Sequence, residues 1–398
     1  MAVVPRRPAN RSRQHTDLIP NNDGDTAMAA TDLASQQPYN KDAWGHKTYD
    51  EFIEQFFFTS FLGNGASAII DHITELSKNS KGESGAWLNL ILDIHGGGVV
   101  GDNTLEGRER ELESSWLRAT FDQIRNGMVT KGRKSEQKSV IQARKQFRQK
   151  MARWMAETLE DQAVLTASGI SYDYNTDGSP RVTPAGQDPW TDLDYAADVS
   201  APSTNRHYRW DATDGLVAGD TTAIEAADVP KYAIIPELEA YARRARKNPL
   251  RANGEEFFLW LVHTDTMAKL WQDTDFRSIL VNGEVRGGNN PIFKNSKVTM
   301  NNIIIKPYVR TYNTRGAAAG QKWGADGTVN GTRSLLMGTQ ALGMVDLGAA
   351  NWEEDNRDYR NRWGLAIDKM VGFIKPKFMD SYTGTVEDYG ITAIDMAL

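Results

Sequence analysis

The chain has 398 residues, with 46 Lys and Arg against 52 Asp and Glu, a formal net charge of −6 and no cysteine. With 40% hydrophobic residues it has side chains for a sizeable core, and its length suggests two or three domains or one elongated subunit of several parts. The absent cysteine excludes disulfide frameworks, Cys-ligated zinc, iron–sulfur clusters and thiol nucleophiles; the mild acidity argues against tight general binding of nucleic acid; and no apolar run approaches the ~18–20 residues that cross a bilayer.

Residues 1–46 are polar, and Arg6, Arg7, Arg11 and Arg13 precede their acids. Such a segment cannot bury enough apolar area to fold alone, so it reads as a loose tail or as an arm that orders on a neighbouring subunit. It has no apolar segment of the secretory-signal kind. Residues 48–62 are aromatic-rich and read as a helix. A second helix is expected over 66–78, with Ile69, Ile70, Ile73 and Leu76 on one face and Gly63 and Gly65 breaking the chain before it.

Residues 87–95 alternate as a half-buried strand does: Leu88, Leu90, Leu92 and Ile94 on one side, Asn89, Asp93 and His95 on the other. Residues 112–129 form a second extended stretch, in which Leu117, Ala119 and Phe121 alternate against Trp116, Arg118, Thr120 and Asp122. Between the two lies GGGVVGDNTLEGRERE, so 83–131 reads as an extended hairpin whose tip is too large merely to close a turn.

Residues 135–168 carry the strongest helical pattern, with Val140, Phe147 and Trp154 at heptad spacing, Ser135 as a candidate N-cap and Gly169 as a stop. Such a helix would be about 50 Å long. Its charge opposes the helix dipole: Lys138, Arg144, Lys145, Arg148, Lys150 and Arg153 crowd the first half, and Glu157, Glu160 and Asp161 lie in the second. Either this is a solvated basic face or contacts with other subunits or nucleic acid set the pattern.

Residues 170–222 are rich in Asp, Gly, Pro, Thr and Tyr and read as an insertion or a loop-rich β lobe. Helix is expected again over 221–247, then a buried strand at 257–263, a helix through TMAKLW, and extended chain at 299–311. Residues 335–348 and 365–378 are apolar and rich in small residues. No internal repeat is visible, and the irregular interleaving of helix and strand gives an α+β class.

No catalytic or cofactor constellation emerges. Gly96 to Gly101 fits GxGxxG after a strand, but the polar residues that follow carry no helical stripe, so a flexible loop fits better than a dinucleotide site. Asp173 to Gly178 matches half of a calcium loop, but the twelfth position is Pro184, so an Asx-type turn is expected. The six histidines are scattered, without metal-ligand spacing. Catalytic residues, cofactor and metal are all expected to be none.

The stretch Gly101-Asp102-Asn103-Thr104-Leu105-Glu106-Gly107-Arg108-Glu109, followed by FDQIRNGMV, Ser135-Glu136-Gln137 and a helix carrying Arg144, Trp154, Asp161 and Leu165, forms one ordered set with two C-terminal motifs. These are Leu335-Leu336-Met337-Gly338-Thr339-Gln340-Ala341-Leu342 and Gly372-Phe373-Ile374-Lys375-Pro376-Lys377-Phe378. The set resembles the major capsid proteins of Enquatrovirus-like (Schitoviridae-type) tailed phages. The resemblance implies a Hong Kong 97-type capsid fold: an N-terminal arm at 1–46, N-terminal helices at 47–82, the extended loop or E-loop at 83–131, and the spine helix of the peripheral domain at 132–169. It further implies an axial domain at 223–345 and a C-terminal return at 346–398, while 170–222 matches no clear part of the family.

The implied function is an icosahedral shell around double-stranded DNA, built of hexamers and pentamers. Expected partners are the chain itself, portal and scaffolding proteins, a possible decoration protein, and the enclosed DNA without sequence specificity. No membrane is expected; assembly would occur in the host cytoplasm and end in the virion. Expected subunit contacts are Arg108, Glu109, Arg110, Glu111 and Glu113 at the loop tip. Basic residues expected to face inward or another subunit are Arg6, Arg7, Arg11, Arg13, Arg144, Lys145 and Arg148. The alternatives are a cellular nanocompartment shell or a nucleotide-binding enzyme using the 96–101 glycines.

Overall fold

The computed structural model describes residues 38–65, 67–74, 85–91, 98–109, 114–138, 143–252, 254–284, 298–380 and 384–398. The chain divides after Asn40 into two units, and the architecture below is that of Lys41 to Leu398.

The first helix, α1 (Pro38–Gln55), buries Phe52 and gives way to a 3-10 turn at Phe57–Phe61. The aromatic run is therefore not one helix. Phe56 is extended, and the Thr59 hydroxyl donates to the carbonyls of Ile53 and Phe56, taking up groups that a continuing helix would have bonded. Within the span 66–78, where a helix is expected, Ile70–Ile73 is instead a strand, β2, pairing in parallel with β1 (Leu62–Gly63), while residues 66 and 75–78, Leu76 included, lie outside the described residues. The isoleucines are β-branched and buried inside a sheet, where a run of them fits better than on a helix.

Strands β3 (Gly85–Ile91) and β4 (Ser114–Thr120) form the expected antiparallel pair, with Leu88 opposite Leu117. The extended stretch over 112–129 is not one strand. It breaks at Phe121, and β5 (Asp122–Val129) leaves for another sheet. Helices α2 (Arg133–Lys138) and α3 (Ala143–Ser168) follow, and residues 139–142 lie outside the described residues. Ser135 sits inside the first turn of α2, so it is not the cap; the Asn361 side chain accepts from the Arg133 amide instead. With 26 residues, α3 is about 39 Å long. It ends where Gly169 takes φ +68°, the Ile170 amide donating to Leu165 and the Gly169 amide to Thr166.

The rest of the chain supplies β6 (His207–Asp211), β7 (Gly215–Ala218), α4 (Ile234–Arg244), β8 (Leu250–Ala252), β9 (Glu255–Val262), α5 (Thr264–Gln272) and α6 (Thr274–Glu284). Then come β10 (Val298–Met300), β11 (Ile303–Pro307), β12 (Gly331–Met337), β13 (Leu342–Asp346), β14 (Asn351–Arg357), β15 (Arg362–Ile374), β16 (Lys377–Met379), β17 (Val386–Asp388) and β18 (Ile391–Ala397). The helix expected over 221–247 shrinks to α4; the chain before it makes a 3-10 turn at Thr221–Ala223 and then passes Val229-Pro230, where the residue before a proline disfavours helix.

Two large sheets organise these strands. One runs β1-β2-β13-β15-β14, with β5 on the other edge of β15. The other runs β10-β11-β9-β12-β18-β6-β7, with β8 on β9. The apolar face of α3, through Met155, Leu159, Val164 and Leu165, shares one core with residues of both sheets, among them Leu335, Met344, Ile367 and Phe373. A second core joins Ile235 and Leu238 of α4 to Trp260, Ile303 and Ile394.

The segment 170–222 is no separate lobe. Tyr172 and Tyr195 are fully buried beside α3, bonding Thr166 at 2.7 Å and Gln162 at 3.0 Å. Strand β6 then joins the second sheet in parallel with β18. At 173–178 the chain forms the Asx-type turn, the Asp177 carboxylate accepting from the amide and hydroxyl of Ser179.

Candidate assembly interface

The β3–β4 hairpin has two unlike faces. Ala86, Leu88, Leu90 and Ala119 are buried against Ile73, Val345, Leu347 and Ile374. The opposite face carries Trp87 and Trp116, each 60% exposed. Burying an indole is among the larger apolar gains a surface can make, so two exposed tryptophans on one short ribbon mark a face that a partner would cover. A two-stranded ribbon is marginal alone; this one is held by its inner face.

At the tip, Arg108 and Glu109 are both exposed. Leu105 to Arg108 makes a turn, the Arg108 amide donating to the Leu105 carbonyl at 2.9 Å, and the Glu109 carboxylate accepts from the Gly107 amide at 2.7 Å. Arg110, Glu111 and Glu113 lie outside the described residues, as do Arg6, Arg7, Arg11 and Arg13. From Gly98 through Glu109 the chain runs in turns, and the next described element is strand β4. Without a helix opening after Gly101 there is no N-terminus on which a dinucleotide phosphate could sit, so the nucleotide reading loses its physical basis.

The charge pattern of α3 resolves largely inside the subunit. Arg148 bonds Glu51 of α1 at 2.6 Å, and Arg153 pairs with Glu157 one turn on. Arg310 reaches Asp161 at 2.6 Å and Glu157 at 3.4 Å. Glu160 accepts from the Phe57 amide and the Tyr308 hydroxyl, each at 2.6 Å. Burial pushes the Glu160 and Asp161 carboxyls up from their ordinary range, and these donors and Arg310 act against that push. The acids thus sit at the wrong end for the dipole because Phe57, Tyr308 and Arg310 converge there. Arg144 and Lys145 lie on the first turn of α3.

One joint went unseen in the sequence. Arg333 of β12 is buried and makes a two-pronged pair with Asp395 of β18, at 2.7 and 2.8 Å. Its remaining nitrogen donates to the Ser168 carbonyl at 3.0 Å, at the C-terminus of α3. His207 of β6 approaches the same carboxylate at 2.7 Å. Burial alone would raise the Asp395 carboxyl, but Arg333 and His207 together outweigh it and hold the group below its ordinary value. A second joint gathers Lys369, His72 and Tyr49 on Asp346, with Lys369 at 2.7 Å. There too burial opposes the charge, yet the His72 and Lys369 bonds hold the Asp346 carboxyl at about 2. A lone Arg or Lys in an apolar strand was the available signal: such a residue is rarely buried unless paired.

Among the described residues no cluster of His, Asp and Glu is arranged to hold a metal ion, and no helix is long and apolar enough to cross a membrane. What the geometry offers is a packed body with a two-stranded ribbon held on one face and exposing Trp87 and Trp116 on the other, and an exposed, charged segment at 98–109. That is the build of an assembly subunit, and the fold matches solved phage capsid proteins of the Hong Kong 97 type. The capsid of Ralstonia phage GP4 superposes with a TM-score of 0.68 at 20% identity, covering 86% of this chain and 91% of that one. The capsid of cyanophage Pam1 gives 0.65 at 15% identity, with 87% and 93% covered. In sequence, the chain is 38% identical over 371 residues to the major capsid protein of Pseudomonas phage KPP25, spanning 92% of this chain and 97% of that one. Residues 33–398 match the family described as phage capsid protein, and the chain belongs to that family.

Proposed function

We propose that this chain, a major capsid protein of a tailed phage, is held in its shell by the long β3–β4 hairpin and its charged tip. The observation that carries the reading is the hairpin's asymmetry: one face is fixed to the body, while Trp87, Trp116, Arg108 and Glu109 stay exposed. Shell contacts are individually modest and are summed over a closed lattice. Single surface ion pairs contribute only about 0–1 kcal/mol, so the tip charges, Arg110, Glu111 and Glu113 included, act as a network.

In this reading 1–46 is the arm, 83–131 the extended loop, 132–169 the spine, 223–345 the axial domain and 346–398 the return to the body. Strands β6 and β18 support an axial sheet that draws on 170–222 and on the C-terminus as well. Copies form hexamers and pentamers in the host cytoplasm, with portal and scaffolding proteins, and any decoration protein, supplied by other chains. The subunit does no catalysis. Its net charge of −6, repeated over a shell, keeps the enclosed DNA from adhering, and Arg6, Arg7, Arg11, Arg13, Arg144 and Lys145 give local phosphate contacts without sequence readout. Arg148 is a weaker candidate for such contact, since Glu51 already pairs with it. The narrower Schitoviridae-type grouping rests on the ordered motifs alone.

Negative-stain microscopy of the purified chain, alone and with its genome-encoded neighbours, tests the proposal. Shells or capsomers that enclose DNA are expected. Monomers under every condition would overturn it, and shells filled with protein cargo would favour the nanocompartment.

A further inference from the structure

The chain beyond β15 brings a lysine and an aspartate together where water is excluded. Lys375 follows β15 directly, and Asp388 closes β17. Lys377 pairs with Asp388 across the β16–β17 ribbon, so Lys375, two residues earlier, stands diagonal to Asp388 on the same side. Pro376 lies between the two lysines, its carbonyl accepting from the Tyr389 amide at 2.9 Å. The Lys375 nitrogen is 3.0 Å from Oδ2 of Asp388, and neither side chain has any exposed surface. Two details set this pair apart from an ordinary salt bridge. A buried carboxylate is stable when both of its oxygens are satisfied. Oδ2 accepts from Lys375 and from the Ser203 amide at 3.1 Å, but Oδ1 is buried with no donor among the described residues. The surroundings are also rich in cations: Arg206, Lys247 and Lys375 are all buried, and the acids that face them are Glu387 and Asp388. Burial pushes the Lys375 and Lys247 ammonium groups down from their ordinary range against the pull of Asp388, and neighbouring cations push the same way. A lysine that has given up its proton is a nucleophile.

We propose that Lys375 and Asp388 condense into an isopeptide bond inside the folded subunit. The Lys375 ammonium gives one proton to Oδ1, and the free amine attacks Cγ. The oxyanion forms on Oδ2, where the Ser203 amide already donates. A second proton passes from the nitrogen to Oδ1, the Cγ–Oδ1 bond breaks, and one water leaves. An amide remains; nothing is oxidised or reduced, and no outside reagent is needed. The reaction removes the oxygen that lacks a donor and keeps the one that Ser203 holds. Amine and carboxyl held in contact react as an intramolecular pair, which lowers the barrier that the same groups meet in solution. The bond closes residues 375–388 into a ring that contains the β16–β17 ribbon. A two-stranded ribbon is marginal alone, and this one exposes Met379 and Val386, which pair at its far end. In a chain without cysteine, an amide is a covalent brace that needs no thiol. The inference concerns one subunit and stands apart from the shell-forming reading.

Mass spectrometry of tryptic peptides from the folded chain tests the bond. Trypsin cuts after Lys369 and Lys377 and finds no further Lys or Arg before Leu398. In the wild type, residues 370–377 and 378–398 should leave together as one species, lighter than the sum of the two peptides by one water. Fragmentation should place the join at Lys375 and Asp388. Lys375→Arg keeps the charge but presents a guanidinium that does not deprotonate, so its two peptides should separate at their full masses. Separate peptides of full mass from the folded wild-type chain would overturn the proposal, whether or not the variant folds. So would a join that survives in Lys375→Arg, because the bond would then lie elsewhere.

Discussion

The Arg333 joint and the hairpin tip use the same residue types to opposite ends. At the joint, buried Arg333, Asp395 and the Ser168 carbonyl and the half-buried His207 satisfy one another, tying β12, β18, β6 and α3 together. At the tip, Arg108 and Glu109 are exposed and their bonds are local. A buried charge is fixed by its partner, because leaving either one alone in low dielectric is costly. An exposed charge contributes little to the fold and remains available to another chain. Residues of one kind therefore divide between folding and assembly according to burial, and substitutions should divide in the same way.

The sharpest way to break the comparison is at the joint. Arg333→Met strands Asp395 and should cost about 3–5 kcal/mol, enough to leave little folded subunit; thermal unfolding of the purified chain measures it. If the variant melts like wild type, the joint is not what ties α3 to the sheet. Phe147→Ala should cost about 3 kcal/mol, because Phe147 is buried edge-on to Trp352 between α3 and the β14–β15 hairpin. That variant removes packing without charge, and chemical denaturation reads its size.

The Asp346 joint sharpens the comparison through pH. Its carboxyl lies below the unfolded value in the folded chain, so its contribution is present above about pH 4 and is lost as pH falls toward about 2. The loss should be about 2 kcal/mol, and Asp346→Asn should flatten that part of the stability curve. The smallest effect on folding belongs to the tip. Arg108→Glu combined with Arg110→Glu should leave subunit stability within about 0.5 kcal/mol of wild type. Assembly should nevertheless be impaired, as sedimentation or particle counts would report. Normal particle yield would remove the tip from the interface.

How much was legible follows from which forces are local. Strand β3 was visible because Leu88 and Leu90 alternate with polar residues over a half-buried ribbon. The core face of α3 was visible through Phe147 and Trp154 at heptad spacing, the first buried and the second packed against the main core. The loop tip stood out by its length. Ile69, Ile70 and Ile73 misled, since a short apolar run fits a buried strand and a helix face equally well until its neighbours are known. The break at Phe121 was hidden because alternation continues across it while the pairing partner changes from β3 to β15. At that crossing a side chain on Gly372 would run into the Thr120 carbonyl, a requirement written in one distant glycine.

The sequence by itself determined the composition-level facts: no thiol chemistry, an α+β class, a long amphipathic helix and a projecting hairpin with charge at its tip. These rest on periodicity and on residue chemistry, which act over a few neighbours. Only the tertiary structure decided which charges are spent inside the subunit. Arg333 and Asp395 stand 62 positions apart, and Arg310 and Asp161 stand 149 apart. Desolvation and pairing depend on what lies within a few ångströms, and no local pattern records that distance.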